Sequence, residues 1–126
     1  MKIYLGIVWL GLAATACGGD GDSSSGIDQS RKANSLSSSE VTTFCRWALA
    51  EQGGAGHTVA CGGGDVTITV PLQVACEASY NNLTSNCTAT VGDAETCVHA
   101  LSDDPCELSI NACLPLYACS AATPRR

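Results

Sequence analysis

Nine cysteines in 126 residues are the densest source of chemistry in this chain. Thiols serve lipid attachment, cross-linking, redox exchange or metal binding, and spacing separates these uses. Redox exchange needs a resolving thiol beside the attacking one, yet no Cys-x-x-Cys occurs. Zinc takes four ligands at short Cys or His spacings, and His57 and His99 supply no such pair. Asp20-Gly-Asp22-Ser-Ser24 begins like a calcium loop, but the turn position holds Ser25 instead of Gly and the twelfth holds Arg31 instead of Glu. No metal and no cofactor is therefore expected.

Acid/base and nucleophilic chemistry find no better footing. His99 follows Val98 at the edge of an apolar stripe, where a surface histidine is expected, and no spacing announces a nucleophile with an orienting acid. Gly-x-Ser-x-Gly, His-Glu-x-x-His and the phosphate-cradling Gly-x-x-x-x-Gly-Lys-Ser/Thr are all absent. Gly62-Gly63-Gly64-Asp65 reads as hairpin turn chemistry. Asp93, Glu95, Asp103, Asp104 and Glu107 crowd the expected starts of helices, and stabilisation of helix N-termini accounts for them. Asn82-Leu-Thr84 and Asn86-Cys-Thr88 match glycosylation acceptors by spelling only. No catalytic residue is expected, and the chain is predicted not to be an enzyme.

The remaining use of thiols depends on compartment. Met1-Lys2 opens a leader whose residues Ile3 to Ala16 carry no charge, the plan of a secretory signal. This run falls short of the roughly 20 apolar residues that a membrane-crossing helix needs. Ala14-Thr15-Ala16 before Cys17 resembles the lipobox of bacterial lipoproteins, with Ala14 where Leu is usual. That resemblance implies cleavage before Cys17, palmitate-type acylation of its sulfur, attachment to membrane lipid, and residence on the exported side of the cell envelope, at the outer membrane or in the periplasm. An ordinary signal peptide cut at Thr15-Ala16 is the alternative. A multiply acylated cysteine would meet the two-signal requirement for stable anchoring by itself.

The whole chain carries a formal charge of −6; losing Lys2 leaves five basic against twelve acidic residues, or −7. Nucleic acid and anionic membrane surfaces attract clusters of Lys and Arg, so neither is expected as a partner. With Cys17 given to lipid, eight cysteines remain: Cys45, Cys61, Cys76, Cys87, Cys97, Cys106, Cys113 and Cys119. An even count in an exported chain predicts four disulfides. One Phe, two Trp and three Tyr leave few large anchors, and so small a domain has a marginal core that cross-links must support.

The elements that position these cysteines follow from periodicity. Residues 17–39, opening on the lipidated cysteine, are rich in Ser and Gly and predict a flexible tether with a typical reach of roughly 25 Å. Ser37-x-x-Glu40 has capping-box spacing, with Val41, Phe44, Cys45, Ala48 and Leu49 at helical intervals and Gly53-Gly54 as the stop. His57–Cys61 and Asp65–Val70 are short β-branched runs around three glycines, a hairpin signature. Pro71 opens a second helix carrying Leu72, Cys76, Ser79, Tyr80 and Leu83. Thr90-x-x-Asp93 caps a third, with Val91, Ala94, Cys97, Val98 and Leu101 inward. Asp104-Pro105-Cys106-Glu107 predicts the start of a fourth, broken at Pro115, and residues 121–126 should fray.

The expected architecture is thus a mainly α, disulfide-stapled domain over 40–120, about four short helices with a minor β-hairpin, behind the signal peptide at 1–16. Placing the second and third helices antiparallel brings Cys76 opposite Cys97 and predicts a bridge between them. Cys106, Cys113 and Cys119, if helical, lie too far apart to bridge one another and should pair with Cys45, Cys61 and Cys87. Together these conditions reduce the 105 connectivities of eight cysteines to six. Cys87-Thr-Ala-Thr-Val-Gly-Asp93, Glu95-Thr-Cys97 and Asp104-Pro-Cys106 also resemble small cysteine-rich bacterial lipoproteins, a likeness that carries no activity. The functional expectation is a lipid-anchored, non-catalytic envelope module binding a protein or other surface component. The alternative is a small hydrolase or inhibitor with its site in the 53–64 loop.

Overall fold

A computed structural model describes residues 23–107 and 110–120. The leader, Cys17 and the 121–126 tail lie outside the described residues, so the lipobox and the fraying tail do as well. The elements run α1 (Ser38–Glu51), β1 (Thr58–Cys61), β2 (Val66–Thr69), α2 (Gln73–Asn81), α3 (Val91–Asp103) and a single-turn α4 (Leu114–Tyr117). Short 3-10 turns cover Ala33–Ser35, Gly62–Gly64 and Asn111–Cys113. Among the described residues no helix is long and apolar enough to cross a membrane.

Helix α1 organises the rest because its apolar residues form two adjoining stripes. Val41, Cys45 and Leu49 repeat every fourth residue and pack with Cys76 of α2 and Val70 beyond β2. Phe44 and Ala48, one position round, pack with Val91, Ala94 and Val98 of α3. Both α2 and α3 therefore pack on α1, with the fully buried Phe44 between them. Its ring centroid lies 4.8 Å from that of Tyr80 and 5.4 Å from that of Trp47, at tilted angles that suit aromatic quadrupoles.

The two capping boxes predicted from sequence are present. Ser37 Oγ accepts from Glu40 N–H while Glu40 accepts from Ser37 N–H, and Thr90 and Asp93 do the same for α3. The hairpin has the expected strands, paired antiparallel with Thr58 opposite Thr69 and Cys61 opposite Val66. Gly62, Gly63 and Gly64 all have positive φ, which a run of residues with Cβ atoms would resist.

Four disulfides join all eight described cysteines: Cys45–Cys76, Cys61–Cys106, Cys87–Cys119 and Cys97–Cys113. The expected Cys76–Cys97 bridge is not formed. Its premise, a direct antiparallel pair of α2 and α3, fails because α1 offers each of them a separate stripe. Cys76 meets α1, with a Cα separation of 5.8 Å from Cys45. Two of the three outward pairings expected for the C-terminal cysteines hold. Cys113 departs, bonding Cys97 at a Cα separation of 4.6 Å.

No helix starts at Asp104-Pro105. Asp104 Oδ1 instead accepts from Cys106 N–H at 3.1 Å, and its carbonyl from Glu107 N–H at 3.3 Å, a turn that uses the side chain in place of a cap. Pro115 lies in the first turn of α4, where its missing N–H costs nothing. The helix predicted from Pro71 begins instead after Leu72, which acts as its N-cap residue.

The tether expected over 17–39 is not free along its second half. Ala33 is buried, Ile27 and Leu36 pack on the core, and Ala33 N–H donates to Ala89 O at 2.8 Å. Arg31 O and Gln29 O accept from Val91 and Gly92 N–H at 2.8 and 3.0 Å, satisfying donors at the open start of α3. Residues 23–36 thus form a strap across α1 and α3. Composition concealed this because the strap docks mainly through backbone and hydroxyl groups.

Candidate functional site

A partly enclosed hollow of about 470 Å³ opens between one face of the hairpin and the C-terminal ends of α1 and α3. Val59 and Ile68, paired across the strands, form one wall with Val70 and Pro71. Leu101 and Pro105 stand opposite. The size suits a small ligand or a few side chains of a partner. The Cys61–Cys106 bridge ties the end of β1 to the loop after α3, so the two walls are held by a covalent link.

The loop of 52–57 sets the polar rim. Gly54 N–H donates to Leu49 O at 2.7 Å, turning the chain out of α1, and His57 N–H donates to Gly54 O at 3.0 Å. Val70 N–H to His57 O at 2.8 Å then extends the hairpin to His57. Gly53 has φ +97°, and the imidazole lies so close that a Cβ there would come within 2.7 Å of His57 Cδ2. Glycine at 53 thus serves both the turn and the seat of the ring.

His57 and Glu51 share this hollow, and the Glu51 carboxylate has partners other than His57. Glu51 accepts from Ser23 Oγ, and its other carboxylate oxygen stands 3.9 Å from His99 Nδ1. Ser102 Oγ donates to the backbone carbonyl of Glu51 at 2.7 Å. Among the described residues His57 has no side-chain hydrogen bond or ion pair. The hollow presents an apolar wall with His57 and Thr69 at the rim.

Two further surfaces flank it. Leu72 and Val74 are 59 % and 70 % exposed at the start of α2. Opposite, Trp47 Nε1 donates to Ser23 Oγ at 2.9 Å, and the Trp47 and His99 rings meet edge-on at 5.5 Å. Beside them a pocket of about 240 Å³ is lined by Ser23, Ser24, Gln29, Glu95, Thr96 and His99. No group of three or more His, Cys, Asp or Glu side chains that could hold a metal ion occurs among the described residues.

All eight cysteines expected in bridges are in them, and Cys17 lies outside the described residues. Sequence reasoning assigned Glu95 to helix-terminus stabilisation. It is instead 3 % exposed and accepts hydrogen bonds from the strap. The signal was present: Glu95 falls four residues after Val91 and three before Val98, on the apolar stripe itself. No protein-family model, curated protein or solved structure matches this chain.

Proposed function

We propose that the mature chain is a lipid-anchored cell-envelope module, non-catalytic, which binds a protein or other surface component through the hollow between the hairpin and the ends of α1 and α3. The observation that carries this reading is the cysteine arithmetic. Eight cysteines pair with one another, which leaves Cys17 of the nine as the odd thiol, directly after the lipobox-like residues. Disulfides of this density belong to an oxidising, exported compartment. A preformed apolar hollow with a thin polar rim suits binding better than chemistry.

Intact mass of the membrane-extracted protein tests the anchor: acyl mass on an N-terminal Cys17 and the loss of eight hydrogens for four bridges are expected. A water-soluble chain with a free Cys17 thiol overturns it. Affinity capture from the envelope with the native chain and with Ile68→Asp tests the hollow. A partner retained by the native chain and lost with the variant is expected, and equal capture by both overturns the assignment.

The alternative, a small hydrolase or inhibitor acting through the 53–64 loop, draws its support from His57 and Glu51 lining the same hollow. Ester or peptide hydrolysis, or protease inhibition, abolished by His57→Ala with the fold intact, would establish it in place of the binding module.

A further inference from the structure

The strap is held to the helices by one buried carboxylate. Glu95, 3 % exposed on α3, takes three hydrogen bonds on Oε1, from Ser24 Oγ at 3.1 Å, Ser25 N–H at 2.9 Å and Ser25 Oγ at 2.6 Å. Its Oε2 accepts from Gln29 Nε2 at 2.6 Å. A buried carboxylate is costly unless its lone pairs are filled, and here every donor comes from the strap. Ser23 adds the contacts to Glu51 and Trp47. Gly92 lets the strap lie close: a Cβ there would stand 3.3 Å from Gln29 O. Only Ile27 anchors this part apolarly.

We propose that Glu95 is a latch that docks residues 23–30, and that the latch sets how far the domain stands from its N-terminal anchor. The distance part rests on the lipid-anchor reading of Cys17; the latch itself does not. With the strap docked, six residue steps separate Cys17 from Ser23 and span at most about 20 Å even when fully drawn out. With residues 23–30 released and Arg31 still tied to Val91 and Glu40, the link lengthens to about 14 residues, whose fully drawn-out span is roughly 48 Å. The same domain then has two reaches, one close to the bilayer and one extended. The latch is local: it breaks without breaking a disulfide, because the first bridged cysteine, Cys45, lies beyond the strap.

Amide hydrogen exchange on the oxidised mature chain tests the latch. In Glu95→Ala, exchange at Ser25 and at Gly92, whose N–H bonds Gln29 O, should rise about tenfold or more, with Cys45 in α1 unchanged. Unchanged protection at Ser25 and Gly92 overturns the latch. So does a rise that reaches Cys45 equally, since the strap would then not open on its own. If Glu95→Ala does not fold, the strap-side pair Ser25→Ala and Gln29→Ala removes donors without touching the helices, and the same readout decides.

Intact mass and vesicle binding address the distance separately. Trp47 is the only tryptophan outside the leader, and energy transfer from it to dansyl-labelled headgroups should fall when Glu95→Ala replaces the native chain on vesicles. Equal transfer overturns the distance claim. Absence of lipid on Cys17 overturns the anchor reading and the distance claim together, while the exchange data still decide the latch.

Discussion

Arg31, in the strap, donates through Nη1 to the carboxylate of Glu40 in the first turn of α1, and the same carboxylate accepts from Ser37 N–H at 2.7 Å. One side chain therefore closes the capping box and ties the strap to the helix it caps. Arg31 Nη2 also donates to Ser35 O at 2.9 Å, holding the turn between them.

This pairing predicts an acid response. The Arg31 hydrogen bond, followed by that from Ser37, pushes the Glu40 carboxyl down to about 2 from an ordinary 4.5. An acid whose folded value is depressed contributes stability that is present above its unfolded value and lost as pH falls toward the folded one. For Glu95, burial raises the value, but the hydrogen bonds from Ser25, Gln29 and Ser24 outweigh it and leave a net lowering, so the sign is the same. Stability should hold above about pH 4.5 and decline between there and pH 2. Helical circular dichroism and Ser37 amide exchange across that range measure it. Glu40→Gln should flatten the Glu40 part of the slope, and an identical slope would count against this account.

Phe44 fills the junction of α1 with α2 and α3 with no exposed surface. Phe44→Ala should cost about 3–5 kcal/mol, the range for emptying a large buried aromatic site. Thermal unfolding of the oxidised protein measures it, and a cost under about 1 kcal/mol would mean that the junction collapses around the smaller side chain.

Peptide mapping without reduction should recover four linked pairs, 45 with 76, 61 with 106, 87 with 119 and 97 with 113. Replacing both Cys97 and Cys113 by Ser, a separation of 16 residues, should cost about 3 kcal/mol through freedom restored to the unfolded chain. A peptide joining Cys76 to Cys97 contradicts the arrangement of both helices on α1.

Gly53→Ala tests the rim of the hollow. The positive φ and the imidazole 2.7 Å from the added Cβ together predict a loss of about 1–3 kcal/mol. They also predict displacement of the His57 ring, read from its NMR signals. Unmoved His57 resonances would show that the ring is not seated on Gly53.

Local signals carried over well. Ser37 with Glu40 and Thr90 with Asp93 are short-range hydrogen-bond patterns, so spelling alone placed the starts of α1 and α3. The glycine run placed the hairpin turn, because positive φ is a property of single residues. The Asp104-Pro105 motif misled because the same side chain can cap a helix or close a turn.

The candidate site was legible only in part: His57 and the 53–64 loop stood out, but Leu101, Ser102 and Pro105 come from a distant stretch that spacing does not connect to them. The chain by itself determined the secondary-structure class and the two capped helices, since each depends on residues within one or two helical turns, and it determined an even set of bridging cysteines, which is a matter of count. Only tertiary packing decided which cysteine meets which, that α1 carries two neighbours, and that a Ser-rich segment is strapped to a buried glutamate. These depend on contacts between residues far apart in sequence, whose cost is chain closure and whose reward appears only once the faces are assembled.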